Sequence, residues 1–361
     1  MVSMVQILIE NCNVQRSSCT RVLRSTYALF SLLFIASFVS NCAIASSLSA
    51  DKQAAFIEKM VSKHQFNEHY LTELFSQATP NQAILESIAK PWEAKPWFKY
   101  YPIFLTEKRL NKGLEFWQQY QTELAEVEKQ TGVPAQIIVS IIGVETFYGS
   151  YLGKYTVFDA LQTLAFNYPP RSTFFTSELE HLFLLAREEQ FDITSLMGSY
   201  AGAMGWGQFI PSSYRAYAVD FDKDGQRDLL NNPLDAIASI ANYFKRHGWQ
   251  AGKPIAYPAS VKGSQYNSLL STSLKLKHTW QQVQDAGVGL STESSPEFPA
   301  DTSVKLIEFE LEQGKEYWLV FGNFYSITRY NHSPLYAMVV YQLSEQLLAA
   351  KQPNTKDNAV N

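Results

Sequence analysis

The sequence predicts a mainly α-helical protein of the α+β class, with one small antiparallel β module let into it. Three observations carry that prediction. Apolar residues recur at helical spacing from Ala50 to about Gln130, and from Val133 to about Trp249 helical runs alternate with Gly, Pro and Asn punctuation. Between Lys253 and Val320 the texture changes, and "SVKLIEFELEQGKEYWLVFG" alternates in apolar residues around a Gln313-Gly314 turn, the mark of a hairpin. A chain of 361 residues with 46% apolar content can fill more than one core.

Taken in order, the first segment is a leader. Arg16, Arg21 and Arg24 precede an uncharged run from Tyr27 to Val39, and Ala43-Ile44-Ala45 supplies small residues for cleavage. The apolar run is too short to favour a spanning helix. Cleavage after Ala45 makes residues 1–45 a signal peptide and places the protein in the periplasm. A competing reading acylates Cys42 and attaches the chain to the outer membrane, although Asn41 before it fits that signal poorly. All three cysteines, Cys12, Cys19 and Cys42, lie in the leader, so a chain cut after Ala45 has no disulfide or thiolate site. The leader also holds three basic residues and one acidic one, which leaves 27 basic and 33 acidic residues and a charge of −6. That acidity excludes nucleic acid as a partner.

From 46 to 130 the pattern is a helical domain rich in aromatics. "DKQAAFIEKMVSKH" places Phe56, Met60 and Val61 at helical spacing, and "LEFWQQYQTELAEVEKQTG" runs to Gly132. Between them "AKPWEAKPWFKYYPIFL" repeats Lys-Pro-Trp and reads either as an extended connection beside a cleft or as tryptophans packing a helix pair. The core, 131 to 253, opens with Pro134 at a helix start, after which Ile137, Ile141 and Glu145 fall on one line. A carboxylate on an apolar stripe resists ionising and can hold a proton for a reaction, which is the profile of a general acid. The plainer alternative is a glutamate near a helix end, paired with a base or turned to solvent.

"GSYAGAMGWGQFIPSSY" clusters Gly198, Gly202, Gly205 and Gly207 ahead of Gln208, a density that lets backbone approach a ligand or turn a tight corner. No Gly-Lys-Ser/Thr follows, so it is not a phosphate loop. Nearby amide, hydroxyl and aromatic groups, Ser199, Tyr200, Trp206, Gln208 and Tyr214, suit sugars. In "DFDKDGQRDLLN" Asp220, Asp222 and Asp224 stand at positions one, three and five, Gly225 at six, Gln226 at seven and Asp228 at nine of a calcium loop spanning 220–231. Asn231 replaces the usual twelfth-position glutamate, so a structural ion held weakly, or a solvated acidic turn, is expected. Asn232-Pro233 then opens a helix that Gly248 ends. The histidines are scattered without HExxH spacing, and no G-x-S-x-G elbow occurs, which disfavours a catalytic zinc and a serine hydrolase. The β module is placed at 254–322, a return to the core at 323–350 with a helix from about Pro334, and a disordered tail at 351–361.

Five ordered segments, "GVETFYGSYLGKY", "DALQTLAFNYPPR", "GSYAGAMGWGQFIPSSYRAYAVDFDKDG", "NPLDAIASIANYFKRHGW" and "NFYSITRYNHSPLYA", resemble the B-type lytic murein transglycosylases, over about residues 50–350. The resemblance implies a lysozyme-like helical core with an EF-hand-like calcium loop, and Glu145 as the catalytic acid. It implies cleavage of the β-1,4 bond between N-acetylmuramic acid and N-acetylglucosamine in peptidoglycan with formation of 1,6-anhydro ends, needing no cofactor beyond structural Ca²⁺. It further implies that Ser199, Gln208 and Phe209 contact the glycan, that Tyr243 underlies a sugar, and that Tyr330, Asn331 and Tyr336 form the far wall. Arg171 matches a basic residue near the peptide stem, but Pro170 and Phe174 depart from the family's usual arginine and tyrosine. The expected partner is the glycan strand, bound by a monomer, with wall-synthesis proteins as further partners left open. A lysozyme-type muramidase and a non-cutting peptidoglycan binder are the alternatives.

Overall fold

The computed structural model describes residues 49–89, 95–291 and 296–351. The expected leader with Cys42, and the expected tail beyond Lys351, lie outside the described residues.

Helix α1 (49–64) is followed by α2 (Glu68–Gln77) and α3 (Gln82–Ile88), started by Asn67 and Asn81, whose side chains accept from backbone N–H groups of the first turn. The second Lys-Pro-Trp differs from an extended connection. Pro96 has φ −65° and ψ 156°, a helix-entry conformation, and leads into α4 (Trp97–Tyr100) and a 3₁₀ turn over Tyr101–Ile103. Trp97 is buried 4.9 Å from the ring of Phe309, so the tryptophan packs elements together. The run ending at Gly132 divides at Tyr120 into α5 (Glu107–Gln119) and α6 (Gln121–Thr131), and Gly132 ends α6 in the left-handed conformation, φ 73°.

Helix α7 (Ala135–Thr146) is the hub. Every side chain from Ile137 to Thr146 is buried, so the apolar stripe read from the sequence widens to the whole circumference. Around it pack α5, α6, α11 (Pro233–Arg246) and α14 (Pro334–Lys351). Helices α8 (Val157–Asn167) and α9 (Ser172–Glu188) form an antiparallel pair at one side, with α10 (Pro211–Tyr217) against α9. Thr156 caps α8 by accepting from the Asp159 N–H and donating to the Asp159 carboxylate, which keeps that acid in a structural role.

A short ribbon, β1 (Tyr155–Thr156) with β2 (Met197–Gly198), closes one end of the core. The β module contains β3 (Ala256–Val261), β4 (His278–Thr279), helix α12 (Trp280–Asp285), β5 (Val288–Leu290), β6 (Ser303–Glu310) and β7 (Lys315–Val320). Its antiparallel sheet has the order β4-β6-β7-β3-β5. The expected hairpin is β6 with β7, in register Glu310↔Lys315. The N–H of Leu311 bonds to the carbonyl of Gly314, whose φ of 80° the turn requires. Val304 and Leu306 pack with Trp280, Val283 and Phe321 in a satellite core, whereas Ile307 and Phe309 join the main one. Helix α13 (Gly322–Tyr330) then leads the chain back to α14. The main core is continuous from Phe56 in α1 to Leu347 in α14.

Candidate active site

Glu145 lies in the last turn of α7 and is 3% exposed. The helix stops there by two successive left-handed residues that are not glycine, Phe147 (φ 51°) and Tyr148 (φ 56°). Such a conformation costs energy outside glycine and persists when its surroundings over-determine it. Here the Tyr148 ring is wedged between Gly113 and Gly143, where a Cβ would stand 2.3 and 2.5 Å from its hydroxyl. Arg109 of α5 holds the same corner, donating from Nε to the Gly143 carbonyl at 3.0 Å and from Nη1 to those of Ile103 and Phe104. The Thr146 hydroxyl lies within hydrogen-bond distance of the Trp206 carbonyl, 3.0 Å, and accepts from the Gly149 N–H, which ties the end of α7 to the glycine-rich loop. Sequence reasoning missed Arg109 and Thr146, because both act on backbone groups that only the fold brings near.

The carboxylate faces α14. The Tyr336 hydroxyl donates to Glu145 Oε1 at 2.7 Å, and both side chains are buried. Burial, then the neighbouring Glu145, pushes the Tyr336 phenol well above its usual pKa, so it remains a donor whatever the state of the acid. Tyr330 is likewise pushed up, first by burial and then by Glu145, and donates to the Gly207 carbonyl at 2.7 Å. Two phenols therefore connect the far wall to the acid and to the loop opposite it.

The glycine-rich loop folds back on itself through bridges Gly198↔Met204 and Met204↔Phe209. Gly153 lies against the Gly198 backbone, where a Cβ would come within 2.0 Å of the carbonyl, so the close approach needs glycine. Ser199 is 5% exposed and its hydroxyl accepts from the N–H groups of Ala201 and Ala203. Gln208, held at φ 52°, donates from its amide to the carbonyls of Leu152 and Gly205. Phe209 is 1% exposed and packs edge-on against Tyr243 and Tyr330. Tyr243 is buried with one ring face stacked on His247 at 3.9 Å, and Tyr217 and Tyr330 stand edge-on to it, each at 4.9 Å.

Asn331 is fully buried, and among the described residues neither its amide oxygen nor its amide nitrogen has a hydrogen-bond partner. A native structure rarely leaves such a group unsatisfied, so it calls for a ligand or ordered water. Beside it His332 is held neutral: burial, then Arg329 and His247, push its imidazole down to about 4. Arg171 stands apart at the start of α9, its guanidinium 4.3 Å from the ring centre of Phe174, close to Tyr168, Glu178 and Tyr200. Glu178 is a second buried acid, but Ser212 donates its N–H to one oxygen and its hydroxyl to the other, which commits it to anchoring α10.

Oxygens of Asp220, Asp222 and Asp235 lie within 4.8 Å of one another. Asp235, in the first turn of α11, is fully buried and accepts from the N–H groups of Phe221 and Asp228, closing both ends of the loop. Burial, opposed by those two N–H groups, and then the charges of Asp222 and Asp220 push its carboxyl up to about 6. Asp224 accepts from the Gln226 N–H, and Asp228 from the N–H groups of Leu230 and Asn231 and from the Asn231 amide. Asp220 likewise accepts from the Gly225 N–H and Asp222 from the Asn232 amide, so these bonds together shape the turn. Asp235 lies beyond the twelve-residue spacing, which is why a motif reading overlooks it. Asp220 Oδ1 is buried and has no hydrogen-bond partner among the described residues. Three hard oxygen donors and one orphaned atom fit a Ca²⁺ ion.

The chain matches the family model "Transglycosylase SLT domain" over residues 49–345. It is similar to the membrane-bound lytic murein transglycosylase B of Escherichia coli K12, with 42% identity over 308 residues, 82% of either chain. Among solved structures it is similar to the soluble lytic transglycosylase SltB1 of Pseudomonas aeruginosa, with TM-score 0.77 and 44% identity, covering 82% of this chain and 98% of that one. The Escherichia coli lytic transglycosylase Slt35 in complex with calcium gives TM-score 0.75 and 42% identity, covering 83% and 93%.

Proposed function

Since the chain belongs to the transglycosylase SLT family and is a peptidoglycan lytic transglycosylase, we propose that Glu145 is its one catalytic acid and base. The observation that carries this reading is a buried carboxylate held by Tyr336 at the edge of a cavity of about 280 Å³. In the first step Glu145 gives its proton to the glycosidic oxygen between N-acetylmuramic acid and N-acetylglucosamine as the bond from that oxygen to C1 breaks. The acetamido oxygen of the muramyl sugar stabilises C1, the substrate-assisted route that dispenses with a second acid. In the second step the Glu145 carboxylate takes the proton of the C6 hydroxyl as O6 bonds to C1 and the acetamido oxygen leaves. The 1,6-anhydro ring closes, no water is consumed and the enzyme regains its proton. The Tyr336 hydroxyl donates to the carboxylate between the steps, when the charge is present. Support for a glycan on the far wall comes from the unsatisfied Asn331 amide, with Ser199 and Gln208 opposite. Arg171, with its aromatic and acidic neighbours, is placed toward the peptide stem.

Asp220, Asp222 and Asp235 would hold a structural Ca²⁺, which screens three clustered carboxylates and fixes the loop before α11. The calcium complex of Slt35 supports this reading. The site of action is the periplasmic cell wall. No described helix is long and apolar enough to cross a membrane, and acylation at Cys42 would attach the chain to the outer membrane.

Digestion of murein followed by mass spectrometry tests the proposal. Anhydro-muramyl ends are expected and Glu145→Gln should abolish them; reducing ends would select a muramidase, and intact strands a binder.

A further inference from the structure

The cavity that holds Glu145 is bounded on one side by Phe147, with Lys108 and Arg109 of α5 beside it and Ile103 and Tyr151 at its rim. Three cations surround the single Phe147 ring: Lys108 at 5.6 Å, Arg109 at 5.2 Å and Lys112 at 5.0 Å from its centre. They are not equivalent. The Arg109 guanidinium is spent on backbone carbonyls, and Lys112 donates to the Ser150 hydroxyl. Among the described residues neither Lys108 nor Lys112 has an ion pair. The two lysines are four apart on α5, an arrangement that repels unless an anion lies between them. Ile103 and Tyr151, 37% and 54% exposed, are two of the four large apolar side chains left open among the described residues, and such exposure marks a contact surface.

From this juxtaposition we propose that Lys108 and Lys112, above the Phe147 ring, form a subsite for a carboxylate on the peptide attached to a muramyl sugar, with Tyr151 and Ile103 covering its aliphatic part. The inference rests on the lytic transglycosylase reading and deepens it. Lys108 and Glu145 line one cavity, so a muramyl sugar whose scissile bond reaches Glu145 comes near Lys108. The sugars are uncharged at that bond; the anions of the substrate are on the peptide. Two flexible ammonium groups suit a carboxylate whose position varies with peptide length, whereas a rigid guanidinium fork would demand one geometry. This adds a peptide subsite on α5 to the one proposed at Arg171.

The test compares wild type with a double variant, Lys108→Gln with Lys112→Gln, on peptide-bearing strands and on the same strands with their peptide carboxylates capped as amides. The ratio of kcat/KM on uncapped to capped strands should fall about tenfold in the variant, the size of one lost charged hydrogen bond. Raising salt should lower the wild-type ratio toward that of the variant. An unchanged ratio overturns the subsite, even if both rates drop together. A wild type that releases no anhydro ends from either substrate overturns the functional reading and the subsite with it, so the two failures are distinct.

Discussion

Replacing Tyr336 by phenylalanine removes one oxygen from the site and leaves the ring that fills the wall. That oxygen donates to Glu145 Oε1 across 2.7 Å, and neither group is open to solvent that could replace the bond. A hydrogen bond to a charged group contributes about 1.5–3 kcal/mol, and one to a neutral acid about 1 kcal/mol. The difference applies only while Glu145 is ionised, between bond breaking and ring closure. The barrier to glycosidic bond breaking, the step in which Glu145 becomes charged, should therefore rise by about 0.5–2 kcal/mol, which lowers kcat roughly 2- to 30-fold with KM little changed. The assay is steady-state release of anhydro-ended fragments from purified strands, with melting curves to show that the variant folds. A kcat within twofold of wild type, or a loss confined to KM, would refute the assignment of Tyr336 to the charged intermediate.

Gly143→Ala places a Cβ 2.5 Å from the Tyr148 hydroxyl in the hub helix, and overpacking of this kind should cost about 1–3 kcal/mol, read as a lowered denaturation midpoint with reduced activity. Adding Ca²⁺ at about a hundredfold excess over its dissociation constant should stabilise the protein by about 2.7 kcal/mol, a gain that Asp220→Asn should largely remove; a melting temperature indifferent to Ca²⁺ and chelator would contradict the site. His332 has its pKa depressed to about 4 from the usual 6.5, so the unfolded chain binds the extra proton between those values. Stability should then be full above about pH 6.5 and fall as pH drops toward 4, by about 1–2 kcal/mol after allowing for partial solvent exposure. His332→Gln should flatten that slope in urea titrations, and an unaltered slope would assign it to other groups.

The features legible in the sequence are those set by local pattern. Pro134 and the isoleucine spacing place Glu145 on a buried helix, and Gln313-Gly314 locates the hairpin because its turn requires a left-handed glycine. The start of the acidic loop was visible through Asp220 and Asp222 for the same reason. What was not visible depends on contacts distant in sequence. Asp235 joins the loop only because α11 folds back over it, and Arg109 reaches Gly143 only across the packing of α5 on α7. Tyr336 stands 191 positions from Glu145, and no periodicity announces that pair; the family resemblance pointed to Tyr336 only as part of the far wall. The Lys-Pro-Trp stretch was ambiguous because proline equally ends an extended strand or opens a helix, and the burial of Trp97 against Phe309 decides between them.

The rings of Phe56 and Phe75, from the first two helices, interlock with those of Phe158, Phe166 and Phe183 beneath the glycan-cutting half of the molecule. Removing the first ninety residues would therefore strip the floor from this aromatic box and leave its remaining walls wet. The enzyme cannot be trimmed to the dimensions of a minimal lysozyme: its amino-terminal helices are structural footing, and a shortened version should precipitate before it could be assayed.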